Sequence, residues 1–361
     1  MPMTTKQQVF KTLYKAANSA ENEAAGFVSG QELAAQCNVS RTAVWKAVNS
    51  LIKEGIQIQA VTNKGYRLAN ADDVISIEQL NSFLPETSKI TFEVHSVIDS
   101  TNSECKRQCT QAEFLRFGDG QLSPEGEKLH EHVIVAESQT AGRGRMGRKF
   151  YSPAQNGIYL SMIYIPRQNI IQPAKMTATA AVAVCHAIKK VYGIDAKIKW
   201  VNDVFANGKK ICGILTEGIA NFETGEIQAA IVGIGINICE TGKGFPQEIS
   251  GIAGSLFGEK SVKTKRCELA AQISIELARL YEIQEKDMNS AESRAIMQEY
   301  RDLTFLIGKT MEISPVINGQ QKFMAKAVDI TEDAALVVEK EDGTLINLQS
   351  GEVSLSSGKF I

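Results

Sequence analysis

The segment Gly142–Lys149, which reads GRGRMGRK, carries side chains that could bind phosphate. It follows His132–Gln139, a stretch that predicts a strand. Four cations within seven residues suit a highly charged phosphate ester, and the interleaved glycines suit a mobile loop that closes over it. The alternative is a basic surface loop. The cations are Arg143, Arg145, Arg148 and Lys149.

The same glycines also satisfy the dinucleotide fingerprint G-x-G-x-x-G, at Gly142, Gly144 and Gly147. That fingerprint has to open a helix, because the helix N-terminus binds the pyrophosphate. Here residues 150–153 follow, and Pro153 disfavours a helix start. We therefore do not expect a dinucleotide site, although a redox-sensing repressor that binds NAD is the competing interpretation of this motif.

A carboxylate and an amine are expected to face each other across a hairpin further along the chain. Lys197–Trp200 predicts one strand, Asn207-Gly208 a tight turn, and Lys209–Glu217 the returning strand. Asp203 and Lys210 then lie on facing arms. Beside a phosphate-binding loop, Lys210 could neutralise a carboxylate and the α-phosphate of ATP as they meet. An ordinary surface ion pair is the alternative.

Short polar side chains follow two other predicted strands. Ile90–Val97 leads into residues 99–102, whose hydroxyl and amide groups could contact a small ligand or could only cap a helix. The apolar stretch Ile227–Ile236 ends beside Asn237. The Asn237 amide could reach a purine edge or a phosphate.

Composition excludes several classes of protein. The 361 residues suffice for two or three domains. No apolar run approaches the ~20 residues of a membrane span, and the first residues lack a signal-peptide core. The seven cysteines include no C-x-x-C pair, and the four histidines lack a third ligand at metal spacing. We expect a cytoplasmic protein with reduced thiols, no membrane segment and no metal held by protein ligands.

The first 70 residues predict a DNA-binding module. They hold eight lysines and arginines against four glutamates, although the whole chain has a net charge of −2. Ser29 and Glu32 form a capping-box signature, Ser40 can cap a helix running to Glu54, and a hairpin wing follows. Polar and basic groups on the helix and wing could reach bases and phosphates. The candidates are Ser40, Arg41, Thr42, Trp45, Lys46, Lys64 and Arg67.

Four motifs, in order, resemble those of the biotin protein ligases. They are GRGRMGR at 142–148, KWVND at 199–203, KICGILTE at 210–217 and GIGIN at 233–237. With the preceding helix-turn-helix pattern, the chain resembles the bifunctional form that also represses the biotin operon. The similarity covers nearly the whole chain except the first few residues and residues 105–131, a charged segment that predicts a mobile insertion.

The resemblance implies an α+β multidomain fold. We expect a winged helix-turn-helix domain (1–70), a linker (71–89), a mixed α/β catalytic domain resembling class II synthetases (90–305) and an SH3-like β-barrel (306–361). Short alternating segments from Gly308 onward, with turns at Asn318-Gly319 and Asp342-Gly343, agree with the last domain.

The resemblance also implies the chemistry: biotin and ATP, with Mg²⁺, give biotinyl-5′-AMP, and biotin passes to a lysine of the biotin carboxyl carrier protein of acetyl-CoA carboxylase. Operator DNA and a homodimer formed on biotinyl-5′-AMP are the other implied partners. The implied catalytic residues are Lys210, Asp203 and Arg145. The implied biotin contacts are Ser100, Thr101, Asn102, Gln139, Arg143, Gly144, Arg145 and Lys210. The implied nucleotide contacts are Arg145, Arg148, Phe150, Asn202 and Asn237.

Two positions depart from the pattern of this family. Val201 stands where proline is usual, which loosens the turn before Asp203, and Phe150 stands where tryptophan often covers the adenine. Phe150 keeps a stacking face, and no charged group is lost. A biotin sensor without catalysis is a further alternative, disfavoured because Lys210 and Asp203 are present. A lipoate ligase would share the architecture without the arginine loop.

Overall fold

The computed structural model describes residues 4–19, 26–53, 56, 58–68, 75–167, 172–220, 225–240, 242, 244–258, 264–314, 321–349 and 351–355. Three sequence predictions lie outside these residues: the helix end at Glu54 and Gly55, the first part of the linker, and the turn at Asn318-Gly319. Within the described residues, no helix is long and apolar enough to cross a bilayer.

The N-terminal domain is a winged helix-turn-helix. Its elements are α1 (Thr5–Ser19), α2 (Gly30–Gln36), α3 (Arg41–Lys53), β1 (Ile58–Val61) and β2 (Gly65–Leu68), with the two strands paired antiparallel. Ser29 and Glu32 form the predicted capping box on α2, and Ser40 Oγ accepts from the Ala43 amide to cap α3. Apolar side chains from all three helices form a separate core.

A seven-stranded sheet builds the central domain, and a helix within the segment predicted to be a linker leads into it. The helix α4 (Ile77–Ser82) precedes a sheet in the order β3-β4-β5-β9-β8-β7-β6. Only β3 and β4 run parallel; the other neighbours are antiparallel. The strands are β3 (Thr91–His95), β4 (His132–Ala136), β5 (Gly157–Tyr164), β6 (Lys197–Lys199), β7 (Asp203–Ala206), β8 (Lys209–Ala220) and β9 (Ile227–Asn237).

Helices cover both faces of this sheet. The helices α7 (Pro173–Tyr192) and α8 (Arg266–Lys286) pack on one face, and α9 (Ala291–Leu303) packs on α7. The helix α5 (Thr101–Gln111) packs on the other face, followed by α6 (Pro124–Leu129). Every residue of β5 is consequently buried, as expected for a central strand between two helical layers.

Residues 105–131, predicted to be a mobile insertion, instead contain most of α5 and all of α6. Cys105 and Cys109 lie one helical turn apart and pack against the sheet, while Leu115 and Leu122 extend the same apolar cluster. The sequence prediction was wrong because only a few apolar residues in this charged segment mark the buried face.

The C-terminal residues form a five-stranded antiparallel sheet in the order β13-β12-β11-β10-β14. Its apolar face joins the core of the central domain. No pairing joins the outer strands among the described residues, so the closed barrel stays a prediction. The strands are β10 (Thr310–Ser314), β11 (Phe323–Ile330), β12 (Leu336–Glu339), β13 (Leu345–Leu348) and β14 (Glu352–Leu355).

Candidate active site

One cavity of about 510 Å³ lies over the central strands, at the end of the sheet where β4 stops and α5 begins. It is the right size for a small organic molecule joined to a nucleotide. Every catalytic, biotin-binding and nucleotide-binding residue expected from the sequence lines it. These are Ser100, Thr101, Asn102, Gln139, Arg143, Gly144, Arg145, Arg148, Phe150, Asn202, Asp203, Lys210 and Asn237.

The connection between β4 and β5, residues 137–156, forms one wall of the cavity and is called the Gly-Arg loop here. Its tip folds back on itself, because Gly144 N donates to Arg148 O at 2.7 Å and Phe150 N to Gly142 O at 2.9 Å. Residues 145–147 make a single 3₁₀ turn, and β5 follows. The G-x-G-x-x-G motif therefore opens no α-helix, in agreement with the rejection of a dinucleotide fingerprint.

A chain of hydrogen bonds crosses the end of the cavity nearest α5. Asn102 Nδ2 donates to Glu217 Oε2 at 2.9 Å, and Asn102 Oδ1 lies 2.6 Å from the Ser161 hydroxyl. Ser161 also reaches Thr101, whose backbone N–H donates to Gln139 Oε1 at 2.9 Å. The orientations of these amides are thereby set before any ligand arrives. Ser100 occupies the N-cap position of α5 but makes no side-chain cap bond.

Glu217 is the anionic centre of this end, and the sequence analysis did not single it out. Its carboxylate lies 2.6 Å from Lys106 Nζ and 3.2 Å from Arg143 Nη2, in addition to Asn102. Burial alone would raise the pKa of Glu217, but the bonds from Asn102 and Lys106, with the nearby Arg143 charge, lower it overall. Arg143, although half-exposed, is therefore anchored on β8.

The predicted hairpin brings the acid and the amine together. Asn207 and Gly208 have φ angles of 51° and 72°, the left-handed conformation that a two-residue turn requires. Lys210 Nζ lies 2.6 Å from Asp203 Oδ1, and both side chains are partly buried and line the cavity. The pair therefore does not fit the alternative interpretation, an ordinary ion pair on the protein surface.

A second backbone segment fixes Lys210 from the outside. Lys210 N donates to Ile252 O at 2.9 Å, and Gly254 N donates to Lys210 O at 2.8 Å. Residues 245–253 thereby form a second wall of the cavity, lined by Phe245, Ile249 and Ile252. The sequence analysis missed this wall because the segment lacks a regular element and a charged motif.

The two asparagines expected at the nucleotide end also bind the protein itself. Asn202 Oδ1 accepts from Arg145 Nη1 at 2.9 Å, and Asn202 Nδ2 donates to Ile214 O at 3.1 Å. Asn237 Nδ2 donates to Gly254 O at 3.0 Å. Asn202 thus orients Arg145, and Asn237 ties β9 to the 245–253 wall.

Two glycines on β9 make room for side chains on the cavity floor. A Cβ atom at Gly235 would lie 2.4 Å from the Phe150 ring, and one at Gly233 would lie 1.9 Å from Asn102 Oδ1. Neither side chain could keep its place if these residues were alanine. The side chains that approach these glycines are therefore Phe150 and Asn102.

The fold and the site together define an enzyme of the biotin and lipoate ligase class joined to a DNA-binding domain. Residues 120–237 match the biotin/lipoate A/B protein ligase family, and residues 22–67 match an HTH domain family. The biotin protein ligase of Aquifex aeolicus, solved with biotin and ATP, superposes with a TM-score of 0.55 over 73% of this chain and 97% of that one, at 24% identity.

Two curated relatives resemble the chain over nearly its whole length. The bifunctional ligase/repressor BirA of Bacillus subtilis is 33% identical over 96% of this chain and 98% of its own. That of Escherichia coli is 26% identical over 92% and 94%. The chain belongs to the bifunctional ligase/repressor BirA family: it is a biotin protein ligase with a helix-turn-helix repressor domain.

Proposed function

We propose that the chain converts biotin and ATP to biotinyl-5′-AMP and pyrophosphate, then transfers the biotinyl group to a lysine of the biotin carboxyl carrier protein of acetyl-CoA carboxylase. The observation that carries the proposal is the Lys210–Asp203 pair, 2.6 Å apart, in the same cavity as the Gly-Arg loop. One cation and one carboxylate at this place serve the two half-reactions in turn.

The end of the cavity near α5 holds biotin. The ureido ring of biotin has both N–H donors and a carbonyl acceptor. Ser100, Thr101, Asn102 and Gln139 offer the matching hydroxyl and amide groups. Arg143 and Gly144 close over the tail of biotin. The hydrogen-bond chain through Ser161 supports this assignment, because amides with fixed orientation bind a planar polar ring without the cost of ordering them.

The first half-reaction takes place at the centre. A biotin carboxylate oxygen attacks the α-phosphorus of ATP, and the bond to pyrophosphate breaks as the new bond forms. Lys210 and Arg145 lie where the two anions meet and stabilise the negative charge of the transition state. Arg148, Phe150, Asn202 and Asn237 bind the nucleotide. ATP enters as its Mg²⁺ complex, which agrees with a cavity whose own carboxylates already bind cations.

The second half-reaction uses Asp203. Its carboxylate attracts the ammonium group of the carrier lysine to the cavity. After that lysine loses a proton to solvent, its nitrogen attacks the acyl carbon. The C–O bond of the mixed anhydride breaks, AMP leaves, and the nitrogen releases a second proton to solvent as the amide forms. Lys210 stays beside Asp203 in both steps, so the same pair serves activation and transfer.

The N-terminal domain binds operator DNA when biotinyl-5′-AMP is present. Trp45, 57% exposed, lies on α3 with Arg41, Thr42 and Lys46. Ser40 caps this helix, and the wing adds Lys64 and Arg67. A single basic domain makes few phosphate contacts, so we propose a homodimer that binds two half-sites.

The proposal also divides the chain into four segments, 1–70, 71–89, 90–305 and 306–361, the last of which forms an SH3-like barrel. We further propose a cytoplasmic location, and the seven free, buried cysteines support that location.

The direct test is the mass of a carrier domain incubated with the chain, biotin and ATP. We expect one biotinyl group on one lysine, with no reaction when ATP is omitted. Lys210→Ala should slow biotin-dependent pyrophosphate exchange about a hundredfold while biotin still binds, since the cation acts mainly on the transition state. Lys197→Ala, at an exposed position on β6, is the control. Exchange by Lys210→Ala within a few-fold of the wild type would contradict this role.

A further inference from the structure

We infer that the first turn of α8, residues 265–268, joins the base of the Gly-Arg loop to the DNA-binding domain, and so sets how strongly ligand and operator affect each other. This inference rests on the proposed function. Three consecutive residues of this turn, Arg266, Cys267 and Glu268, each contact a different part of the molecule.

Arg266 clamps both ends of the Gly-Arg loop. Its side chain is fully buried, and Nη1 lies 2.7 Å from Glu137 Oε1 and 3.3 Å from Gly157 O. Glu137 Oε1 also accepts from the Gln155 backbone N–H at 2.6 Å. One guanidinium therefore connects Glu137, the first residue of the loop after β4, with Gly157, the first residue of β5. Separating this buried arginine from its partners is strongly unfavourable, because its charge would be left uncompensated in the interior.

The next two residues reach the N-terminal part of the chain. Cys267 Sγ lies 3.1 Å from Gln79 Oε1 on α4. Glu268 Oε2 accepts a 3.0 Å hydrogen bond from the hydroxyl of Tyr14 on α1. Hydrogen bonds to a carboxylate are stronger than those between neutral groups.

Other contacts hold the DNA-binding domain at the same place. The Tyr14 ring packs edge-on against Phe83, just after α4, with the centroids 4.9 Å apart, and Lys6 Nζ pairs with Glu78 on α4 at 2.5 Å. The helix α1 therefore rests on α4 and on the start of α8. A shift of the loop's ends acts on Arg266 and, two residues further along the same turn, on Glu268, the partner of Tyr14.

Coupling of this kind is reciprocal. A ligand that fixes the Gly-Arg loop favours one position of the α8 turn, and DNA that fixes the N-terminal domain favours the same position from the other side. Arg266 and Tyr14 touch neither ligand in this account, so they are positioning residues.

Tyr14→Phe tests the link from the DNA side, because it removes one hydroxyl and keeps the ring against Phe83. The probe is a duplex selected in vitro by the full-length wild type with biotinyl-5′-AMP. We expect the increase in DNA affinity caused by biotinyl-5′-AMP to fall about fivefold in Tyr14→Phe. Carrier labelling should stay at the wild-type rate. Tyr281→Phe is the control, since it removes a hydrogen bond of α8 to Met176 O, away from this turn.

Arg266→Lys tests the link from the ligand side. Lysine keeps the charge but not the fork that reaches both ends of the loop. We expect biotinyl-5′-AMP to dissociate about tenfold faster, with the rate of adenylate formation at saturating biotin and ATP within twofold of the wild type. Arg279→Lys, on the exposed side of α8, is the control, and Glu137→Gln replaces Arg266→Lys if that variant does not fold.

The outcomes separate this inference from the function on which it rests. Wild-type coupling in Tyr14→Phe, or wild-type dissociation in Arg266→Lys and in Glu137→Gln, overturns the inference and leaves the ligase and repressor functions intact. If wild-type DNA affinity itself does not respond to biotinyl-5′-AMP, the proposed ligand-dependent repression is wrong and the inference falls with it. Loss of coupling in Tyr14→Phe but not in Tyr281→Phe supports it.

Discussion

Several side chains that line the cavity are held in position by partners that do not have to touch a ligand. Asn102 has its amide satisfied by Glu217 and its carbonyl by Ser161, and Arg145 is directed by Asn202. Glu217 and Ser161 interrupt largely apolar strands, the one local signal that could have identified them. Their importance depends on the side chains that contact them from α5 and the Gly-Arg loop. A single sequence does not show which residues make those contacts.

Glu217→Gln should weaken biotin binding more than it slows catalysis. The neutral amide keeps the shape but loses the charge attraction for Lys106 and Arg143, so the biotin end of the cavity is less well fixed. We expect the KM for biotin to rise about tenfold, or ~1.4 kcal/mol, with kcat within a few-fold of the wild type. Steady-state kinetics with carrier as acceptor gives both constants.

Glu282→Gln, which breaks an exposed pair with Lys286 within α8, is the matched control for that experiment. Equal KM values for biotin in Glu217→Gln and the wild type would show that Glu217 does not organise the biotin end.

Three helices behind the sheet meet at one histidine. His186 on α7 lies 2.6 Å from Glu299 on α9 and 3.5 Å from Glu276 on α8. The hydrogen bond with Glu276, followed by that with Glu299, raises the pKa of His186 above its ordinary value, and His186 with Arg279 lowers the pKa of Glu276 to about 2. Protonated His186 therefore stabilises the packing of these helices.

Since the pKa is raised on folding, this stabilisation is complete below the unfolded-state pKa near 6.5 and is lost as pH rises through the folded-state value. His186→Gln should lower Tm by about 2 °C at pH 6, on the order of 1 kcal/mol, and by less at pH 8.5. Thermal melts of both proteins at the two pH values check this. A Tm difference that is the same at both would contradict it.

Local sequence signals predicted most elements of this fold. The capping box at Ser29, the hairpin at Asn207-Gly208 and the strand before Asn237 were each correct to within a few residues, because caps, turns and apolar runs are local properties. The prediction for the segment after Cys105 failed because no dense apolar stripe marks its helix. The side chains that face the sheet from this helix include Cys105 and Cys109.

At the scale of the whole molecule, the family motifs predicted from the sequence and the topology of the sheet agree. The contacts between the domains, by contrast, had no signal in the sequence. The four family motifs meet in one cavity because β5, β9, β8 and β7 are successive neighbours in the sheet. The buried Arg266 and its contact with the Gly-Arg loop come from tertiary packing alone, and so does the contact of Tyr14 with Glu268. Neither pair is close in sequence.

The central claim is that one bound biotinyl-5′-AMP serves both activities. The most direct measurement loads the full-length chain with biotin and MgATP, binds it to the selected operator duplex, and then adds carrier domain while DNA occupancy and carrier mass are followed together. Transfer consumes the adenylate, so the account predicts that operator is released as the carrier gains biotin, and that a carrier with arginine in place of its acceptor lysine releases none. Operator occupancy that stays constant while the carrier becomes biotinylated would contradict it.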